Sequence, residues 1–324
     1  MASKFSWDSE KKPILALAPM EGYTDSAFRQ LVKKYTPGVI CFTEFTSADA
    51  LKYNSKVSFK KITFAKTEKP LIVQLFGKKP EHFIEAAKLV EESGAAGIDI
   101  NMGCPAKKVI GSLHGSALLK DPELAAEIVH TVVKNTNLPV SVKTRIGFNS
   151  YDEEKLQSFC LKIQDAGAKL MTIHGRTKKQ GYGGKADWDP IYKIKEKLNI
   201  HVIGNGDVDS PEAAVKKLKN LDGVMVGRAT FGNPLIMYHI YNELHPGNES
   251  DKKLPDWHEL AKNHIELAVE SKGERHAMLE MRKHLAVYVK GFPGAANYRS
   301  RLVRVETKNE AFELLDEIKE NSPL

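Results

Sequence analysis

Three short segments hold side chains that could combine redox and acid–base chemistry. Asn101-Met102-Gly103-Cys104-Pro105 places a cysteine in a Gly-Cys-Pro turn. Lys143-Thr144-Arg145 and His174-Gly175-Arg176 each set two cation-forming side chains two residues apart. An ordinary thiol titrates near pH ~8.5, so it stays mostly protonated at pH 7. Cys104 therefore suits a proton donor as well as a nucleophile. No Cys-His-Asn protease context surrounds it, which weakens the nucleophile reading. Lys143 and His174, with Gln74 across from them, could hold the edge of a planar, electron-rich ring. Flavin is the natural candidate, because a nearby Lys stabilises the anionic reduced ring. A buried Lys with no anion to meet would be costly. Gly204-Asn205-Gly206-Asp207 and Gly227-Arg228 read as a phosphate site: glycines admit close backbone N–H groups, and Arg adds a charged fork. The blander reading of these glycines is tight turns. Cys41 and Cys160 read as inert buried cysteines.

These residues need elements to bring them together. The chain of 324 residues alternates β-rich runs with helical patterns. Strands are predicted over residues 14–20, 39–45, 71–77, 97–103, 140–147, 170–177, 201–208 and 223–230. Most begin apolar and end polar. Helices are predicted between them, including 80–93, 122–135, 152–165 and 211–219. Pro80, Pro122 and Pro211 stand where helices begin, and Ser210 is a plausible N-cap. Eight such units point to an α/β fold, a closed (β/α)8 TIM barrel, with a doubly wound sheet as the competitor. Barrel active sites lie at the C-terminal strand ends. Those ends carry Pro19-Met20-Glu21, Glu44, Gln74, Asn101 to Cys104, Lys143 to Arg145, His174 to Arg176, Asn205 to Asp207 and Gly227-Arg228.

Composition narrows the class. Hydrophobic residues make up 42% and charged residues 27%, which excludes a mainly disordered chain. No apolar run approaches a membrane span, and the polar start does not resemble a secretory signal. Three scattered cysteines build neither a disulfide framework nor a metal finger, so no metal is expected and the cytoplasm is the expected compartment. The 48 Lys and Arg against 41 Asp and Glu leave a net charge of +7, which permits a nucleic-acid partner.

The pattern changes after residue 244. A polar, turn-rich stretch leads into helices predicted over 257–272, 275–289 and 309–320, with no strands. The expected division is a catalytic barrel over 1–244 and a smaller all-helical domain over 245–324. Residues 240–324 hold 13 Lys plus Arg against 15 Asp plus Glu, so this part is not basic overall. Its positive charge is confined to Arg282, Lys283, Lys290, Arg299, Arg301 and Arg304, an interval without Asp or Glu. Tyr288, Phe292 and Tyr298 are interleaved. That composition suits RNA phosphates and stacked bases; a solvated helix face with core aromatics is the bland alternative.

Several of these segments together resemble the tRNA-dihydrouridine synthases, FMN-dependent reductases of uridine in tRNA. They are APMEGYTDSAFR (18–29), DINMGCP (99–105), GSALL (115–119), VKTRIG (142–147), IHGRT (173–177), IGNGD (203–207) and VGR (226–228). The likeness spans about 14–235. It implies FMN contacts from Pro19, Met20, Gln74, Lys143, His174, Asn205, Gly206, Asp207, Gly227 and Arg228, with Glu21 beside them. It implies that Cys104 is the proton donor. It implies that Asn101, Arg145, His174 and Arg176 face the base or its phosphates; the basic interval, outside the matched segments, would set Arg282, Lys283, Arg299 and Arg301 on the tRNA. In the implied reaction NADPH, or NADH, reduces FMN; hydride then passes to C6 of uracil while Cys104 protonates C5. The base must first be turned out of the folded tRNA. No protein partner is implied, and a monomer is expected.

Overall fold

The structure, a computed structural model, describes residues 5–53, 55–105, 115–247, 253–291 and 294–321. Eight parallel strands form its centre: β1 (Ile14–Leu17), β2 (Ile40–Phe42), β3 (Leu71–Phe76), β4 (Gly97–Asn101), β5 (Val140–Arg145), β6 (Leu170–His174), β7 (His201–Asn205) and β8 (Gly223–Val226). Each pairs with the next, β8 pairs with β1, and the ring is closed. The fold is the TIM barrel, and the doubly wound alternative is excluded. A two-residue strand, Thr46–Ser47, adds to the end of β3.

Period-2 alternation sorts the strand residues into two sets. Leu15, Leu17, Cys41, Val73, Ile98, Ile100, Val142 and Ile173 face the helices. Ile14, Ala16, Phe42, Ile72, Leu170, Ile203 and Met225 fill the barrel's lower interior, and Trp7 packs against them. By the same parity Gln74, Asp99, Asn101, Ser141, Lys143, Thr172, His174 and Asn205 point inward above that plug. The polar upper layer is therefore set by register.

Around the strands run α1 (Ser26–Tyr35), α2 (Ala48–Lys52), α3 (Lys56–Ile62), α4 (Pro80–Glu92), α5 (Pro122–Lys134), α6 (Glu153–Asp165), α7 (Asp189–Lys195), α8 (Pro211–Leu218) and α9 (Ile236–Leu244). Pro80, Pro122 and Pro211 open their helices, and the Ser210 hydroxyl accepts from the Ala213 N–H at 3.1 Å. The strands end one to four residues before the sequence ranges do, because residues at the mouth leave the ladder. Asp207, for example, takes a φ of 52°.

The C-terminal part is all helical: α10 (Trp257–Lys272), α11 (Glu274–Tyr288), α12 (Ala295–Leu302) and α13 (Lys308–Asn321). Three of these were expected; α12 was not. Residues 248–252 of the predicted linker lie outside the described residues. Leu260, Ile265, Met281, Leu285, Leu302 and Leu315 form their core, which also takes in Ala27, Leu31 and Tyr35 of α1. The other stripe of α1, Phe28 and Val32, packs into the barrel. One helix thus serves two cores. At its start, the Asp25 carboxylate caps the Phe28 N–H at 2.9 Å and pairs with Lys272 of α10 at 2.5 Å. No described helix is long and apolar enough to cross a membrane.

Candidate active site

The sequence-predicted residues on β3 to β8 converge at the C-terminal mouth. Lys143 at the top of β5 donates to the Asn205 Oδ1 on β7 at 3.1 Å, and Asn205 donates to the Met225 carbonyl at 2.8 Å. Burial, with the neighbouring Arg145, brings the Lys143 ammonium down to about 8, while Asp99 and Cys104 pull the other way. His174 lies between them on β6. Burial, then the charges of Lys143, Arg145, Arg176 and Arg228, push its imidazole down to about 2, so it is neutral at pH 7.

Cys104 follows β4, half-buried and without a disulfide. Its turn is held by Asn101: the Oδ1 accepts from Gly103 N–H at 3.1 Å and from Cys104 N–H at 2.9 Å. The Asn101 amide donates to the Gln74 Oε1 at 2.8 Å, and the Gln74 amide donates to Asp99 at 2.7 Å. Asn101 was expected at the substrate. Here its side chain is engaged within the protein, organising the turn. Asp99 was not singled out in the sequence. It is fully buried, and burial raises its carboxyl to about 6 although Ser141 and Gln74 donate to it. Its signal was a lone carboxylate within the apolar run GIDI.

The two arginines carry buried guanidiniums. Arg145 donates to the carbonyls of Gly103 at 2.7 Å, Thr177 at 3.1 Å and Gly181 at 3.0 Å. Arg176 donates to those of Gly183 at 3.0 Å and Gly184 at 2.6 Å, and pairs with Asp207 at 2.8 Å. Together they pin the loop after β6 across the mouth. That loop presents Tyr182, an exposed ring 4.9 Å from the Arg228 guanidinium and 5.8 Å from that of Arg145. Tyr182 was also missed, hidden in a Gly-rich loop with no periodic pattern.

The glycines separate by role. A side chain at Gly204 would collide with Trp188, whose ring would lie 2.1 Å away; this glycine makes room for packing. Gly206, at φ +122°, meets Ala186 and His174 closely. Gly227 opens toward Met20 and Ala18 at ordinary contact distance, 3.5 and 3.6 Å. Arg228 beside it is half exposed and 3.5 Å from Asp207. Gly227 is half-buried beside Met20, and the Arg228 side chain next to it brings a positive charge, as an anion cradle requires.

Met20 accepts at its carbonyl from the N–H groups of Tyr23 and Thr24, shaping the turn after β1 next to Pro19. Glu21 points outward and pairs with Lys61 at 2.5 Å. In the helical part, Arg282 donates to the Val305 carbonyl at 3.4 Å and Arg299 to the Val289 carbonyl at 3.2 Å. Arg301 forms a two-pronged pair with Glu317, both contacts at 2.5 Å. Tyr288, read as a stacking ring, is buried and within 3.2 Å of the His264 Nδ1; Phe292 lies outside the described residues. Lys283 reaches the barrel, 5.6 Å from the Tyr23 ring, which itself stacks on Phe231 at 4.0 Å. Lys290 and Arg304 are exposed.

Comparison with known proteins adds the family. The profile described as Dihydrouridine synthase (Dus) matches residues 16–322. The chain is 39% identical over 305 residues to a probable tRNA-dihydrouridine synthase 1 of Synechocystis sp., covering 93% of this chain and 84% of that one. It is 37% identical over 298 residues to tRNA-dihydrouridine synthase B of Xanthomonas axonopodis pv. citri, covering 91% and 89%. A solved structure of a variant of NCR from Zymomonas mobilis superposes with a TM-score of 0.51 at 13% identity, over 71% of this chain and 86% of that one. That likeness speaks for the fold alone. With a profile match across nearly its whole length and relatives this similar, the chain belongs to the dihydrouridine synthase family.

Proposed function

We propose that this protein reduces uridines of tRNA to dihydrouridine, with FMN as its cofactor and NADPH or NADH as reductant. The observation that carries this reading is the meeting of Lys143, neutral His174 and Asn205 with the Cys104 turn at one barrel mouth, in a chain whose relatives are tRNA-dihydrouridine synthases.

The residues present fit a flavin. Lys143 is a cation held in the interior with a neutral amide as its hydrogen-bond acceptor, so an anionic ring edge would complete its environment. Met20, Gly227 and Arg228 would receive the phosphate, and Pro19, Gln74, Asn205, Gly206 and Asp207 would also contact the cofactor. Glu21 contributes from outside through its pair with Lys61. Bound FMN supplies two-electron transfer between a nicotinamide and the base. The chain's own residues do the rest. Cys104 delivers the proton to C5 of uracil. The thiolate left behind faces Lys143 and Arg145, whose charges stabilise it. Neutral His174 offers one ring N–H without competing as an acid. Asn101 fixes the direction of the thiol, and Arg145 and Arg176 hold the loop that closes over the base.

Residues 1–244 would then form the flavin-binding catalytic domain, and 245–324 the domain that helps hold tRNA. Lys283, at the seam, would meet the RNA between them, with Arg282, Arg299 and Arg301 as further contacts from the helical part.

The test is reconstitution. Purified protein should carry a yellow flavin and, given NADPH, form dihydrouridine in tRNA lacking the modification. Robust reduction of free uridine with none on tRNA would replace this reading with a free-pyrimidine reductase. A colourless protein that binds tRNA without turnover would make it a binding protein.

A further inference from the structure

We propose that Asp99 is a positioning residue: it sets the polarity of a hydrogen-bond chain that runs through Gln74 and Asn101 to the turn presenting Cys104. Every link is short. Asp99 Oδ1 accepts from the Ser141 hydroxyl at 2.6 Å, and Oδ2 from the Gln74 Nε2 at 2.7 Å. Gln74 Oε1 accepts from the Asn101 Nδ2 at 2.8 Å, and Asn101 Oδ1 from the two turn N–H groups. Asp99, Gln74 and Ser141 are all fully buried, so no bulk water is present to substitute for a lost partner.

The logic is directional. A carboxylate only accepts, whereas an amide can be turned end for end. With Asp99 ionised, Gln74 must aim its NH2 at it, because the reversed amide would set oxygen against oxygen. Gln74 then shows an oxygen to Asn101, and Asn101 must aim its own NH2 back. Only in that orientation does the Asn101 oxygen meet the Gly103 and Cys104 N–H groups. Reversing Asn101 would set its NH2 against the turn N–H groups and release the turn; reversing Gln74 would set its NH2 against that of Asn101 and its oxygen against Asp99. The chain has two ends of fixed sense, the accepting carboxylate of Asp99 and the donating N–H groups of the turn; of its side chains, Asp99 cannot be turned end for end, and it lies two residues below Asn101 on the same strand face.

The importance of this chain for turnover rests on the reading of Cys104 as the acid; the chain itself can be tested on the thiol. Cys41 and Cys160 are fully buried, so iodoacetamide should report on Cys104 in the folded protein. The rate at that residue is read by peptide mass spectrometry on purified protein with its flavin. Asp99→Asn should raise it at least threefold, because the turn is no longer held. Gln74→Leu keeps the charge at Asp99 but cuts the chain, and should raise it equally; it also carries the test if Asp99→Asn fails to fold. The double variant Asp99→Asn with Gln74→Glu moves the fixed acceptor one link along. It presents oxygen to Asn101 again, and should return the rate to within twofold of wild type. Ser141→Ala, which leaves the chain's sense intact, should also stay within twofold. A wild-type rate in Asp99→Asn or Gln74→Leu, or a double variant as fast as Asp99→Asn, overturns the proposal. Absence of tRNA reduction by the wild type would instead count against the proposed function and leave these rates readable.

Discussion

At the residue scale, the mouth brings together a half-buried thiol, cationic side chains and a neutral imidazole. Cys104→Ala should lower dihydrouridine formation at least ~100-fold, the usual worth of a positioned general acid, while the protein stays yellow. Unchanged turnover would remove the thiol from the chemistry. Lys143→Met should weaken flavin binding about 10- to 100-fold, the loss expected for a charged hydrogen bond. The same change should raise the melting temperature of flavin-free protein, because it removes a buried ammonium with no carboxylate as its hydrogen-bond partner. Flavin titration and thermal melts of one variant check both. Cys104, Lys143 and His174 were legible in the sequence because reactive types stood at the polar ends of apolar runs. Asp99 was not. Its partners Gln74 and Ser141 lie 25 and 42 residues away, and only the closed sheet brings them together.

At the element scale, the strands were legible because a parallel barrel buries both faces of each strand and writes them as continuous apolar runs. The unexpected helix α12, AANYRSRL, has few apolar positions and lies within the basic interval. It read as a charge run, and its own packing was hidden. Its discovery changes what the basic interval offers. Arg299 and Arg282 donate to backbone carbonyls and Glu317 holds Arg301, whereas Lys290 and Arg304 in the same interval are exposed. Reversing Lys290 and Arg304 to Glu should weaken tRNA binding and flatten the slope of log affinity against log salt by about 1 to 2. Glu317→Gln should do the opposite, by releasing the Arg301 charge. Filter binding across a salt series measures both, and an unchanged slope in the reversal would take this face off the RNA.

At the scale of the whole molecule, the two cores meet over α1, and the seam is built from titratable groups kept neutral or paired. His264 and His284 face each other at 4.6 Å, buried, the former lowered to about 4 and the latter to about 2, chiefly by desolvation. An unfolded histidine takes up its proton near pH ~6.5. The folded state refuses that proton until about pH 4 for His264, so stability is lost as pH falls across that window. Wild type should therefore show a melting temperature that drops between pH 6.5 and 4, and His264→Leu should flatten that drop whatever its absolute stability. Asp25 behaves differently. Burial alone would raise its carboxyl, but Lys272, His264 and the Phe28 N–H together hold it at about 2, so this pair survives until more acid conditions. The change from barrel to all-helical architecture was legible from the change of pattern near residue 244; the shared helix was not, since α1 lies more than 200 residues upstream of its second partner. That sharing constrains how such proteins can be recombined. A gene cut after the barrel would leave Ala27, Leu31 and Tyr35 as a bare apolar strip that invites clumping. A helical part borrowed from a relative would fit only if it brought a surface cut to the same three side chains and a base to replace Lys272. The graft junction is therefore not a peptide bond in the linker but the back of the first helix.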